Sequence, residues 1–123
     1  MKESRAYHKL KEIFPHAHWQ RIETPISPGI FDVNVCWNGV ESWVECKQTT
    51  KPKTDRGRLH FEIKPAQIAW EWKRRSVGGR TFVAIMADSD FFLLRGYHLK
   101  ELKQSVHVSF LHEHALEHKE LFL

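Results

Sequence analysis

The chain has 123 residues, which fits one domain, and its 41% hydrophobic and 12% aromatic residues suffice to build a core. Its formal net charge of +4 at pH 7 favours a polyanionic partner. No apolar run is long enough to cross a membrane. The charged start MKESRAYHKLKEIF is unlike a signal peptide, so we expect an intracellular, cytoplasmic protein with no membrane partner.

The predicted elements alternate between helices and strands. In chain order they are an amphipathic helix over residues 2–14, strands over 18–23, 30–37 and 40–48, a helix over 65–77, strands over 80–87 and 91–95, and a helix over 97–104. A strand, a crossover helix and a further strand imply a partly parallel sheet. The predicted fold class is therefore α/β, a mixed sheet flanked by helices in the order αβββαββ. We expect one domain over residues 1–123, with its core in about 1–104 and a C-terminal tail, 105–123, that can be helical.

The two central predicted strands form a hairpin with a known register. Asn38-Gly39 is a two-residue turn of the type I′ kind. That turn sets Asp32 opposite Glu45, and Lys47 lies two residues further on the same face. The other face is predicted to point into a core, and it carries Val33, Val35, Trp37, Val40, Val44 and Cys46. Cys36 and Cys46 fall on opposite faces, which argues against a disulfide.

Two carboxylates and a lysine therefore converge on one patch of the predicted sheet. Like charges directly opposite one another destabilise a sheet unless a cation offsets their repulsion. Mg²⁺ is commonly held by one or two carboxylates together with water and phosphate oxygens. The alternative is a solvated sheet face on which Asp32, Glu45 and Lys47 align without a function.

These residues resemble the PD-(D/E)XK nuclease superfamily. The superfamily has an Asp near the start of one strand and Glu-X-Lys on the next, here Gly29-Ile30-Phe31-Asp32 and Glu45-Cys46-Lys47, with Phe31 at the usual proline. The stretches WQRIE (19–23), PAQIAW (65–70) and GGRTFV (78–83) look like small phage-type members related to the VRR-NUC group. The resemblance covers about residues 1–100.

The resemblance implies a restriction-endonuclease-like core and a metal-dependent nuclease. Asp32 and Glu45 would hold Mg²⁺, with Mn²⁺ as a substitute, and the backbone carbonyl of Cys46 would complete the ligand set. Lys47 would activate or orient the water and stabilise transition-state charge. Small members commonly act as dimers on Holliday junctions or other branched DNA, and a phage origin would place the protein in the host cytoplasm.

Two further residues are candidates for this site. Many superfamily members use an acid from the first helix, and Glu3 falls on its apolar face whereas Glu12 falls nearly opposite. We therefore favour Glu3, although it can also be an exposed first-turn acid that suits the helix dipole. Gln67, in the first turn of the second helix, is either a catalytic residue that binds a phosphate or a water, or a surface side chain.

Basic residues concentrate just after the proposed site. Residues 47–80 contain ten Lys or Arg against three Asp or Glu, a net charge of about +7. Residues 49–60 (TTKPKTDRGRLH) lack apolar periodicity and are predicted to be a flexible loop. This basic loop either contacts a phosphate backbone or only aids solubility. The predicted DNA-binding residues are Lys51, Lys53, Arg56, Arg58, Arg74 and Arg75.

The C-terminal tail allows two further interpretations. His114 and His118 have a spacing that can bind zinc, but no further ligand completes the set, so a solvated helix is favoured. A homodimer would supply the two active sites needed to cut both strands of a junction. Its surface is expected at Trp70 or Trp72 and at the apolar tail residues Phe110, Leu111 and 121–123.

The sequence thus predicts a Mg²⁺-dependent DNA endonuclease that is selective for branched or junction DNA. A nicking or sequence-specific nuclease is the nearest alternative among enzymes. The alternative from another class is a catalytically silent nucleic-acid-binding protein of the same fold. The intact set of Asp32, Glu45 and Lys47 favours an enzyme.

Overall fold

Helices and strands alternate in the computed structural model, which describes residues 4–23, 28–54 and 56–123. The strands of this part of the chain are β1 (His18–Arg21), β2 (Val33–Trp37), β3 (Val40–Thr49), β4 (Thr81–Ala87) and β5 (Asp90–Arg95). Its α-helices are α1 (Arg5–Ile13), α2 (Pro65–Ser76), α3 (Leu99–Lys103) and α4 (Val108–His114). Two 3₁₀ turns, Gly96–His98 and His118–Phe122, complete the regular structure. None of the described helices is long and apolar enough to cross a membrane.

The five strands form one mixed sheet in the order β1-β2-β3-β4-β5. Strands β3 and β4 pair in parallel, and the other neighbours are antiparallel. The α2 crossover joins the parallel pair, as a parallel connection requires. This architecture confirms the predicted α/β class and the order αβββαββ.

The hairpin has the predicted turn and register. Asn38 and Gly39 both have positive φ, 52° and 78°, as a type I′ turn requires. Trp37 pairs with Val40, and Asn34 pairs with Trp43. The register that places Asp32 beside Glu45 therefore follows from a local turn.

Both faces of the sheet are covered. One face packs against α1 and the C-terminal 3₁₀ turn, through Tyr7, Leu10, Val35 and Phe122 among others. The other face packs against α2, α3 and α4. Every residue of β4 is buried, and its side chains alternate between the two faces.

Trp37 was predicted to be a core residue. It lies on the expected face and contacts Phe122, but it is 44% exposed because it sits at the end of the sheet.

Several predicted element bounds differ from the structure, and three of the differences involve a specific local contact or turn. Strand β2 starts at Val33 rather than at residue 30, because Phe31 leaves the sheet and is buried against Trp70. The helix predicted over 97–104 begins as a 3₁₀ turn before α3. Helix α1 starts after the Ser4 cap, whose hydroxyl accepts the Tyr7 N–H, and residues 2–3 lie outside the described residues.

Three of the apolar residues in the C-terminal tail, Leu111, Leu121 and Phe122, are part of the core and are therefore not available for the predicted dimer surface. Leu111 is fully buried in the core on the side of the sheet that α2 covers. Leu121 and Phe122 are buried on the opposite face. The tail packs here because the β1–β2–β3 part of that face needs apolar cover beyond what α1 supplies.

Candidate active site

The candidate site lies where the chain enters β2, beside the first turn of α2. Gly29 has φ of 84°, and a Cβ atom at this position would lie 2.0 Å from the carbonyl oxygen of Ala66. Only glycine permits this approach. Phe31, at the usual position of proline, is fully buried against Trp70 of α2. These contacts bring Asp32 next to α2.

Asp32 and Glu45 are joined by reciprocal hydrogen bonds to backbone amides. The Asp32 N–H donates to Glu45 Oε1 at 3.1 Å. The Cys46 N–H donates to Asp32 Oδ1 at 3.1 Å. These side-chain hydrogen bonds take the place of the next backbone pair between β2 and β3. They hold the two carboxylates side by side.

Lys47 and Gln67 complete a connected network with Glu45. Lys47 Nζ lies 3.3 Å from Glu45 Oε2, and it also donates to the Glu62 carbonyl at 2.6 Å. Gln67 Nε2 donates to Glu45 Oε2 at 2.7 Å, while Gln67 Oε1 accepts from Lys47 Nζ at 3.2 Å and from the Lys64 N–H at 3.0 Å. Each end of the amide meets groups of the opposite polarity, so Gln67 fixes both charged side chains.

Burial makes the carboxylate pair costly in its ionised form. Glu45 is only 4% exposed, and burial together with the charge of Asp32 raises the pKa of Glu45 from 4.5 to about 7. Burial also raises the pKa of Asp32, against the opposing effects of the Cys46 N–H, Arg21 and Lys47. A cation bound between the two carboxylates would offset the cost of ionising them, so their raised pKa values favour a cation-binding site.

The donor set suits a hard divalent cation. Carboxylate and carbonyl oxygens are the ligands that Mg²⁺ and Mn²⁺ prefer. In a strand, the N–H and C=O of one residue point to the same side, so the Cys46 carbonyl lies on the Asp32 side. Burial raises the pKa of the Cys46 thiol, which favours its neutral form and leaves the carbonyl as its ligand atom. In the described part of the chain, no group of three or more His, Cys, Asp or Glu side chains is placed to hold a metal.

A cavity of about 410 Å³ is lined by Asp32, Cys46, Lys47 and Gln67. Its lining includes residues that the sequence did not predict for the site: Ser4, Arg21, Gln48, Glu62 and Lys64. Arg21 helps to offset the carboxylate charge, and its Nη1 is buried without a hydrogen bond to the described residues. The stretch WQRIE was a signal for Arg21, but the sequence did not show that β1 would place it beside Asp32.

The two candidate acids of the first helix have different outcomes. Glu12 is exposed and lies 3.8 Å from Lys9, and it does not line the cavity. Glu3 lies outside the described residues, so its role stays a prediction. Ser4, the cap of α1, does line the cavity.

Some of the predicted DNA-binding residues make contacts within the protein, whereas others are exposed. Lys51 pairs with Asp90, and Arg58 donates to Ser105 Oγ at 2.8 Å and to the Ser105 carbonyl at 2.6 Å. These contacts, together with the backbone hydrogen bonds between Leu59 and Val106, tie the basic loop to the domain, although it was predicted to be flexible. Lys53 and Arg56 are exposed, and no hydrogen bond or ion pair with the described residues engages them.

The two helical arginines are also engaged. The Arg74 guanidinium stacks over Trp43 and Trp70, 5.4 and 5.1 Å from the ring centroids. Arg75 Nε donates to the buried Glu71 at 2.8 Å. Trp70 is packed, whereas Trp72 is 60% exposed and stays a candidate for a dimer surface.

The tail histidines make aromatic contacts. His114 stacks near His98 at 4.5 Å between centroids, and His118 meets the Phe91 ring edge-on at 5.3 Å. The zinc interpretation gains no support from these contacts.

The five-stranded mixed sheet is flanked by helices, which defines an α/β fold, and it carries Asp32 just before β2 and Glu45 within β3. No family model matches the sequence, and none of the curated proteins matches it. The structure is similar to that of Hjc, a Holliday junction resolvase from the archaeal hyperthermophile Archaeoglobus fulgidus. The TM-score is 0.63 at 12% identity, over 95% of this chain and 98% of that chain. This similarity confirms the predicted fold, a mixed sheet flanked by helices.

Proposed function

We propose that the protein is a DNA endonuclease that uses Mg²⁺, or Mn²⁺ in its place, and acts on branched or junction DNA. One observation carries the proposal. Asp32 and Glu45 are buried side by side, and Lys47 Nζ lies 3.3 Å from Glu45 Oε2. A carboxylate pair with an adjacent fixed cation suits hydrolysis of a phosphodiester, a reaction that builds up negative charge.

The oxygens of Asp32, Glu45 and the Cys46 carbonyl would hold the metal ion. When bound, such an ion supplies Lewis acidity toward the phosphate and lowers the pKa of bound water. Glu3 is a further proposed ligand. The carboxylates themselves hold the position, because each is anchored to a backbone amide.

Lys47 and Gln67 have different proposed roles. Lys47 brings a positive charge to the cavity, where it stabilises charge on the phosphate and orients the attacking water. Gln67 acts as a positioning residue, because both ends of its amide are already bonded to Glu45, Lys47 and Lys64. This role is more indirect than the contact with phosphate or water that we expected from the sequence.

A fold shared with a Holliday junction resolvase supports branched DNA as the substrate. Cutting both strands of a junction requires two active sites, so we propose a homodimer. Among the residues that we named for its surface, Trp72 and Leu123 are exposed and stay candidates.

Cleavage assays on duplex, single-stranded, flap and four-way-junction DNA, each with Mg²⁺, Mn²⁺ or EDTA, test this function. We expect metal-dependent cleavage with a preference for the branched substrates. Asp32→Asn should reduce the rate roughly a hundredfold or more while DNA binding persists. The exposed-acid variant Glu12→Gln is the matched control and should cleave normally. DNA binding without cleavage by the wild type would instead indicate a silent binding protein.

A further inference from the structure

A second, larger cavity lies at the far end of α2. Its volume is about 900 Å³, within the range of roughly 300–1,000 Å³ typical of ligand pockets. The lining combines cations, one carboxylate and aromatic or apolar side chains, and includes Arg58, Arg75, Tyr97, Lys100, Glu101 and Phe110. Gln67 at the candidate active site and Arg75 at this cavity are eight residues apart on one helix, which is about 12 Å along its axis.

Tyr97 is an exposed aromatic ring in this cavity. It is 46% exposed, although the Arg75 guanidinium lies 5.6 Å from its centroid. The preceding residue, Gly96, packs closely against Thr81, since a Cβ atom there would lie 2.5 Å from Thr81 Oγ1. An exposed tyrosine supplies a large contact area and has only two side-chain torsions, so ordering it costs little conformational entropy.

A buried carboxylate positions Arg75 beside this ring. Glu71 is buried on α2, and its Oε2 accepts from Arg75 Nε at 2.8 Å and from Thr81 Oγ1 at 2.7 Å. The guanidinium is therefore kept in place before any ligand arrives.

The cations at the rim suit phosphate groups. Lys100 is exposed, and Arg58 is oriented by its bonds to Ser105. An aromatic surface flanked by cations is the combination that binds single-stranded nucleic acid, because bases stack on the ring and phosphates meet the charges.

We propose that this cavity binds an unpaired nucleotide of single-stranded DNA, with its base on Tyr97 and its phosphates near Lys100 and Arg58. The inference goes beyond the proposed nuclease function, because binding here requires neither cleavage nor a metal ion. Unpaired DNA occurs at branch points, which would place this cavity on the same substrate as the catalytic site.

Fluorescence anisotropy of a labelled ten-nucleotide thymidine oligomer in EDTA tests the proposal. Tyr97→Ala should weaken binding roughly five- to hundredfold, the effect of removing one base–aromatic stack, while Tyr97→Phe should retain it. Lys100→Ala should reduce the slope of log K against log salt by about 0.7. Glu101→Gln should tighten binding roughly two- to fivefold by removing a like charge.

Trp37→Ala is the matched control, because Trp37 is similarly exposed but packs against Phe122 on the opposite face of the sheet. Photo-crosslinking of a 5-iodouracil strand, mapped by mass spectrometry, should label Tyr97. Equal affinities for Tyr97→Ala and Trp37→Ala, or crosslinks confined to residues outside this cavity, would overturn the proposal. The measurement is made in EDTA and reports binding alone, so a failure of the proposed nuclease function leaves this test intact.

Discussion

Asp32 and Glu45 each bind the backbone beside the other. The Asp32 N–H donates to Glu45 Oε1, and Asp32 Oδ1 accepts from the amide of Cys46, each at 3.1 Å. Neither carboxylate can turn away without leaving a backbone donor unpaired, which costs about 1–3 kcal/mol. The pair is therefore held together despite its mutual repulsion.

Glu45→Gln should change how stability depends on pH. Because the folded-state pKa of Glu45 is raised from 4.5 to about 7, the folded protein binds this proton more tightly than the unfolded chain. Wild-type stability relative to the variant should then fall by about 3 kcal/mol as pH rises from about 4.5 to 7. Urea unfolding of both proteins in EDTA measures this difference.

The same measurement reports on metal binding. A bound divalent cation favours the ionised carboxylates, so saturating Mg²⁺ should reduce this loss in the wild type and leave Glu45→Gln nearly unaffected. A pH dependence in EDTA that is identical for the two proteins would contradict the raised pKa.

Gln67→Ala should lower cleavage by about tenfold and shift its pH profile. Removing the Gln67 Nε2 donor takes away a hydrogen bond to the ionised form of Glu45, so the pKa of Glu45 should rise further. The ascending limb of log kcat/KM against pH should move to higher pH. Gln20→Ala, at an exposed position of β1, is the control. An ascending limb that does not shift in Gln67→Ala would contradict the positioning role of Gln67.

Lys53→Ala combined with Arg56→Ala should weaken duplex DNA binding without changing stability. Both side chains are exposed, so the slope of log K against log salt should fall by about 0.9 for each phosphate that the loop no longer binds. Lys9→Ala with Lys119→Ala removes the same charge from other exposed positions and should leave the slope nearly unchanged. Equal slopes for the two double variants would identify the basic loop as a solubilising segment.

Leu121→Ala should destabilise the protein by about 2–5 kcal/mol, as expected for a fully buried leucine. Leu123→Ala, two residues later and 66% exposed, should have almost no effect. Thermal and urea unfolding measure both variants. Equal stabilities would mean that the tail does not belong to the core, and would restore it as a candidate dimer surface.

The sequence by itself determined the features that depend on local geometry. The Asn38-Gly39 turn fixes the register of the hairpin, so the alignment of Asp32, Glu45 and Lys47 could be predicted from spacing alone. Pro65 and Gly78 mark the ends of α2, and the strand that follows made the parallel pairing predictable. These signals act over a few residues and need no knowledge of the rest of the fold.

Tertiary packing decided the remainder. Gln67 reaches Glu45, 22 residues earlier, because Gly29 and Phe31 dock against α2. The pairing of Lys51 with Asp90 and the burial of Leu121 likewise join residues that are far apart in the chain. Charge and hydropathy show which side chains need partners, but only the packed sheet, covered on both faces, determines which partners they meet.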